Sequence, residues 1–432
     1  MRLLAIIMAF ICFSSTAETI LIKNARIFNG VDKKLTDGHV LVKNGLIEAV
    51  SKDLPDIENS TIVIDANNRV LTPGFIDIHS HISFQAPFKY VTYHPIVSGA
   101  YAGKAAESYL LQGFTSVRDA GGTSPDLGKV IADGRLLGPR IFSSSAYISQ
   151  TAGHGDFRLS HETNPILTSN SPYIGANDSI LADGVAQVLT ATRENLKMGA
   201  TQIKIMGGGG VTSEFDPIHT IQYTPQEIRA AVQAASDWGT YVMAHAYTSE
   251  SVTRLIENGV KSIEHALLID DKTAKLAAKN NVVISTQVFI FSPDTEMHAG
   301  ATEDMIQKNL LVKSGQKKLI KLIKKYKIKT GFGTDMFAGE YTMLGQEFVA
   351  RSKYWTPFEV LRQATSESAE IIRMAGPLIK SPKFGEIRPG WAADILLIDG
   401  EPHKDISVLK NLDDVIGLVM KDGKIITSKL NN

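Results

Sequence analysis

Between residues 74 and 377 short apolar runs alternate with longer stretches of helical periodicity, and this alternation restricts the fold more than any other feature of the chain. Eight such runs can be drawn, at 75–80, 116–119, 140–144, 202–206, 241–245, 262–265, 282–286 and 330–334. Helical patterns at 182–198, 225–238 and 249–258 separate several of them. Runs that are apolar throughout belong in strands buried on both faces, which is the condition of a parallel sheet wrapped by helices. Eight βα units in one span predict a (β/α)8 TIM-like barrel over residues 71–377, with an open doubly wound sheet as the alternative. The glycine runs at 207–210 and 331–333 do not open nucleotide loops, because no phosphate-spaced fingerprint leads from them into a helix.

Outside this span the texture is different. Short β-type runs occur at 19–23, 40–43, 46–50 and 61–65, with Asn44-Gly45 between two of them as a tight-hairpin signal. Similar runs return only at 393–398, 417–420 and 424–426, with Asp422-Gly423 between the last two. The expected arrangement is a small β-sandwich module assembled from residues 18–70 and 378–432, with the barrel inserted. Before it, Met1-Arg2, an apolar run over 3–13 and small residues at Ser15 and Ala17 read as a cleavable export signal over residues 1–17. That run is too short to span a bilayer, so the expectation is a periplasmic or secreted protein without a stable membrane anchor. The one cysteine, Cys12, falls inside the signal, so metal ligands in the mature chain must be His, Asp, Glu or Lys. Equal numbers of basic and acidic residues, 45 of each, remove any electrostatic reason to expect nucleic acid. The Lys-rich segment 317–325 reads as the solvated outer face of a barrel helix.

Residues with ligand chemistry fall at the C-terminal ends of the barrel strands, where barrel enzymes build their sites. Period-two alternation in Phe75-Ile76-Asp77-Ile78-His79-Ser80-His81 puts both imidazoles on one face, a spacing suited to chelating a divalent ion. His245 ends the fifth run, His265 the sixth, and Asp335 follows the eighth. Lys204 lies inside Ile203-Lys204-Ile205-Met206, where an ammonium is costly unless paired or chemically altered. Carbamylation by carbon dioxide would make it an anionic ligand able to bridge two cations; an ion pair with a buried carboxylate such as Asp77 is the alternative.

These residues resemble the metal-site motifs of the amidohydrolase superfamily: His79-Ser80-His81 after Pro73-Gly74-Phe75-Ile76-Asp77, then Lys204, Ala244-His245-Ala246, Glu264-His265-Ala266 and Gly333-Thr334-Asp335. The chain is most similar to the imidazolonepropionase-related, Xaa-Pro dipeptidase-like branch of metal-dependent carboxypeptidases and N-acyl amino acid hydrolases. The resemblance implies that His79, His81 and Asp335 hold one zinc-like ion, that His245 and His265 hold a second, and that carboxylated Lys204 bridges them. It further implies a metal-bridging hydroxide as nucleophile and Asp335 as the catalytic proton carrier. The strand-four lysine favours cleavage of an exocyclic amide in a dipeptide or N-acyl amino acid over deamination. A lactonase or phosphotriesterase is the alternative, and a cyclic-amide hydrolase of the imidazolonepropionase type a more distant one. His154, Tyr223 and His219 fall in loops that this branch uses over the metals and are expected to bind substrate. Arg118 and Asp119 read as structural. A small molecule or dipeptide is the expected partner, and a homo-oligomer is left open.

Overall fold

The computed structural model describes residues 19–86, 95–164, 166–169, 173–174, 179–297 and 300–430, so the segment 1–17, expected to be an export signal, lies outside the described residues. Among these residues the strands form three sheets. The first is built from both ends of the chain: β1 (Thr19–Ile27), β2 (Thr36–Lys43), β3 (Leu46–Ser51), β4 (Ile62–Asp65) and β5 (Val70–Pro73) join three later strands in the order β18-β17-β16-β5-β1-β2-β3. Those later strands are β16 (Ile395–Ile398), β17 (Ile416–Lys421) and β18 (Lys424–Ser428). Asn44 and Gly45 both take positive φ, as do Asp422 and Gly423, so each pair makes the tight turn its sequence signals. β1 pairs β4 through its first half and β5 through its last two residues.

The sandwich expectation is refined here. The module is one continuous sheet that folds back on itself, with Leu46 bridging Ala392 and the Ile47 N–H donating to the Trp391 carbonyl at 2.8 Å. Its fold encloses Ile20, Ile22, Val40, Leu71, Ile395 and Leu418. The opposite side packs on the inserted region, where Phe28, Leu396 and Val419 share a core with Phe75 and Phe114.

The inserted region carries two arcs of strands, parallel except for one antiparallel pair. One is β6 (Phe75–Ser80), β7 (Phe114–Asp119) and β8 (Arg140–Ser143). The other runs β10 (Tyr173–Ile174), β11 (Ser179–Leu181), β9 (Tyr147–Ser149), β12 (Ile203–Met206), β13 (Val242–Thr248), β14 (Ser262–Leu268) and β15 (Val283–Ser285), with β10 antiparallel to β11. Every residue of β6, β7 and β12 is buried, the both-faces burial that a sheet wrapped by helices imposes. The intervening helices start where side chains can satisfy their free N–H groups. Thr224 and Glu227 form a reciprocal capping box on the helix Pro225–Asp237, and Thr248 caps the helix Ser249–Glu257. The Lys-rich segment is the helix Gln316–Tyr326, which buries Leu319, Ile320, Leu322 and Ile323 and turns its lysines outward.

Two departures from the expected eight strands are physical. The third strand is broken: Ser145, at φ 60°, separates β8, which pairs β7, from β9, which pairs β12. The eighth, 330–334, forms no ladder; it is held by single bonds, from the Ile78 N–H to the Phe332 carbonyl (2.8 Å), from the Asp335 N–H to the His79 carbonyl (2.7 Å) and from the Ile284 N–H to the Lys329 carbonyl (3.1 Å). The architecture is therefore TIM-barrel-like, with two arcs meeting across these joints.

Arg140 on β8 welds the inserted region to the terminal sheet. Its guanidinium pairs with Asp394 and Asp422, and Asp394 is fully enclosed. Removing the cation would strand a buried carboxylate, so Arg140→Met is expected to lower unfolding free energy by about 3–5 kcal/mol, read from the urea denaturation midpoint.

Candidate metal centre

β6 delivers His79 and His81, β13 delivers His245, β14 delivers His265, and the segment after Thr334 delivers Asp335. Their rings form a continuous chain: His79 to His81 at 5.3 Å between centroids, His79 to His265 at 5.0 Å and His265 to His245 at 4.7 Å. Asp335 Oδ1 lies 3.3 Å from His79 Nε2 and 3.2 Å from His81 Nε2, while Oδ2 lies 3.9 Å from His265 Nδ1. Among the described residues, His79, His265 and Asp335 bring ligand atoms within 4.8 Å of one another.

One ring nitrogen of each histidine is committed to a hydrogen bond. His79 Nδ1 donates to Glu264 Oε2 (2.7 Å), His81 Nδ1 to the Gly121 carbonyl (2.9 Å), His265 Nδ1 to Gln287 Oε1 (2.7 Å) and His245 Nε2 to the Gly209 carbonyl (3.2 Å). In neutral imidazole the proton then sits on that nitrogen and the other carries a lone pair. For His79 and His81 those lone pairs point at the same Asp335 oxygen. His79 Nε2 is buried and has no hydrogen-bond partner. Lone pairs facing a carboxylate at such distances repel unless a cation stands between them, so the donor set fits a divalent ion bound through two imidazoles and a carboxylate.

For His245, His265 and Asp335 the electrostatics agree with this assignment. Burial pushes His265 down to about 3, and burial together with the neighbouring His154, His265 and Lys204 holds His245 well below the usual histidine value, so both are neutral ligands at physiological pH. Asp335 stays ionised: burial alone would raise it, but His79, His81 and His265 hold it well below the carboxylate range. For His79, burial is outweighed by the Asp335 and Glu264 carboxylates, which raise it.

Lys204 on β12 is buried, and among the described residues its ammonium forms no hydrogen bond or ion pair. Burial lowers its pKa against the pull of Glu264 and Asp335. The alternative of a Lys204–Asp77 pair is ruled out by the use made of Asp77. Its Oδ1 accepts the His79 and Thr334 N–H groups at 2.9 and 3.1 Å, and its Oδ2 accepts the Thr334 hydroxyl at 2.6 Å. Asp77 thus ties β6 to the segment that carries Asp335.

Of the expected substrate residues, His154 lies against the centre. Its ring stacks on His245 at 4.2 Å, and its Nδ1 contacts Ser213 Oγ at 2.6 Å and approaches Asp216 at 3.6 Å. Gly210 is glycine because a Cβ there would fall 1.8 Å from His154 Nδ1. Tyr223 is buried, and its hydroxyl donates to the Ala182 carbonyl at 3.0 Å. His219 is exposed and lines a cavity of about 350 Å³ with Ile218, Leu268 and Lys308, among others, apart from the histidine chain.

The part that Glu264 and Arg118 play in holding His79 was hard to see in the sequence. Arg118 Nη2 meets both Glu264 oxygens at 3.0 Å, and Arg118 Nε donates to the Ile78 carbonyl at 2.6 Å. The signal was present as opposite charges embedded in two apolar strands, each requiring a buried partner. Adjacent residues on a regular strand face opposite sides, yet Glu264 and His265 both reach the centre; positive φ at His265 (77°) and Ala266 (56°) breaks the alternation.

A model of the amidohydrolase family matches residues 70–426. The chain belongs to the amidohydrolase family. This amidohydrolase is 30% identical over 368 residues to ochratoxinase from Aspergillus niger, covering 82% of the present chain and 75% of that protein. Among solved structures it is similar to another amidohydrolase at 34% identity and a TM-score of 0.88, over 96% of this chain and 100% of the other. It is also similar to a prolidase crystallised with N-methylphosphonate-L-proline, at 32% identity and a TM-score of 0.87, over 95% and 100% of the two chains. Prolidases and a Xaa-Pro dipeptidase are thus among its structural neighbours, in keeping with the motif resemblance. As a member, the amidohydrolase is a hydrolase acting on carbon–nitrogen bonds.

Asp77 gives the apoprotein a measurable pH dependence. Burial raises its pKa from the ordinary 3.8 to about 6, so between those values the folded chain binds more protons than the unfolded one. The stability Asp77 contributes is fully present below pH 3.8 and lost as pH rises through 6, a change of about 3 kcal/mol. Urea midpoints of metal-stripped protein between pH 4 and 7 should show this fall, and Asp77→Asn should lack that part of the slope.

Proposed function

We propose that this amidohydrolase is a binuclear-metal enzyme that cleaves the amide bond of dipeptides or N-acyl amino acids. The observation that carries the proposal is Lys204, a buried amine without a partner among the described residues, on the strand beside the neutral His245. An amine of depressed pKa in a site rich in cation ligands is suited to carbamylation, which would replace a destabilising ammonium by an anion. On this reading His79, His81 and Asp335 would hold one cation and His245 and His265 the other, and a carbamate on Lys204 would supply a further anionic ligand. Bound there, divalent cations such as zinc supply Lewis acidity toward a carbonyl oxygen and acidify water.

The chain's own groups supply the remainder. Asp335, kept ionised, is the proton acceptor and returns the proton to the leaving nitrogen. His154, held by Ser213 and Gln222 and stacked on His245, is placed to meet a carbonyl or carboxylate oxygen of the substrate. The dipeptide and N-acyl preference is supported by the prolidase and ochratoxinase names of the relatives. The finer architecture belongs to the same proposal: a (β/α)8 barrel over 71–377 completed by the 330–334 segment, and a separate composite module from 18–70 and 378–432. Export, with removal of residues 1–17, is likewise proposed from the sequence of that segment.

Full-length protein reconstituted with zinc and bicarbonate should hydrolyse members of a dipeptide and N-acyl amino acid library, and leave lactones and phosphotriesters largely untouched. Lys204→Met should lower kcat at least 100-fold and reduce bound metal, and 13C-bicarbonate should give the wild type a carbamate resonance that the variant lacks. Turnover confined to lactones or phosphotriesters would overturn the substrate assignment, and an unmodified Lys204 in fully loaded protein would overturn the carbamate.

A further inference from the structure

The bonded ring nitrogens of His81 and His245 lean on backbone carbonyls, and that of His79 on Glu264, which lies inside β14 and is braced by Arg118. His265 is different. Its anchor, Gln287, lies beyond the end of β15, where the ladder with β14 has stopped at Ser285. Another element has to fix the backbone there.

That element is the helix Gly345–Ser352. The Glu347 carboxylate accepts the N–H groups of Val288 (3.0 Å) and Phe289 (2.7 Å). Arg351 donates through Nη2 to the Thr286 carbonyl (2.7 Å), through Nε to Glu347 (2.7 Å) and through Nη1 to Gln363 (2.7 Å). One ion pair, with neither partner exposed to water, thus grips the chain on both sides of Gln287. The Gln287 amide nitrogen bonds the Ser285 carbonyl and hydroxyl, each at 3.2 Å, which turns its oxygen toward His265. Gly333 leaves room for this amide, since a Cβ there would come within 3.2 Å of its nitrogen.

A sealed ion pair is a costly way to hold a loop, because well-packed apolar side chains of the same volume are often as stable or more so. What apolar side chains could not do is dictate where the backbone on either side of a ligand's anchor must lie. The geometry points to Gln287, aimed by the Glu347–Arg351 pair, as the positioning residue that fixes His265 as a metal ligand. A helix that contributes no ligand thereby governs the filling of one cation position. The inference rests on the metal-centre reading above, and it assigns to that centre a control that the ligands themselves do not provide.

The test is metal affinity of the full-length chain. Wild type, Gln287→Met, Gln287→Glu and Glu347→Gln are stripped of metal and titrated with zinc and with cobalt(II) against a chromophoric chelator, and the visible cobalt spectrum is recorded. Wild type should take up two ions. Gln287→Met should weaken one of the two by about 10–100-fold and alter the cobalt spectrum of that position, leaving the other as in wild type. Gln287→Glu, which still accepts the His265 proton, should recover most of the affinity. Glu347→Gln should weaken the same position as Gln287→Met; if it fails to fold, Gln287→Met carries the test. Two wild-type affinities and an unchanged spectrum in Gln287→Met would overturn the inference. Equal weakening of both positions, or no recovery in Gln287→Glu, would indicate general damage and overturn it as well. Wild-type protein that takes up no metal would overturn the metal-centre reading itself, and this inference with it.

Discussion

A guanidinium and a carboxylate sealed from water, Arg118 and Glu264, set the position of everything above them. Arg118 cross-links three elements: the Ile78 carbonyl on β6, the Tyr241 hydroxyl just ahead of β13, and Ser262 and Glu264 on β14. Glu264 hands that rigidity to His79, and the strong charge-assisted bond fixes which nitrogen of the ring faces the centre. Without Arg118 the carboxylate would be a lone buried charge and would take up a proton, and His79 would lose its orientation. The pair is therefore less a source of stability than a means of specifying one arrangement of strands.

Much of this was legible in the chain itself, for identifiable reasons. Apolar runs wrapped by helical patterns announce a parallel sheet, and Asn44-Gly45 announces a hairpin, because both signals are local. The ligand residues stood out because polar side chains at the ends of apolar strands need a reason to be there. What was hidden depends on contacts distant in sequence. The 330–334 run reads as a strand like its neighbours, yet it joins the adjoining strands by isolated bonds, with Thr334 and Asp335 bonded to Asp77 and His79. Tyr223 looked like a loop residue over the site and is buried, its hydroxyl taken by a carbonyl 41 residues earlier. Gln287 gave no signal at all, since an amide in an apolar run is ordinary and its role is set by a helix 60 residues later.

The centre also holds unfavourable backbone. His265, Ala266 and Asp335 all adopt left-handed φ values that side chains with a Cβ seldom take. Each follows from bringing more ligands to one point than a regular strand can present, since a strand offers only every second residue to one side. The dense hydrogen bonding around Asp77, Glu264 and Gln287 offsets the cost. This unfavourable backbone thus lies among dense hydrogen bonds.

The way β16 pairs β5, with Ile395 opposite Pro73, has a consequence for how the molecule is made. During synthesis the amino-terminal strands leave the ribosome more than three hundred residues before the strand that must lie beside them. Until the last segment is released, β5 has an open edge and the apolar side chains of the first strands lack their cover, an interval in which chaperones or neighbouring nascent chains can reach them. Pairing of β5 with β16 therefore comes late in folding, after all the chain between the two strands has been made.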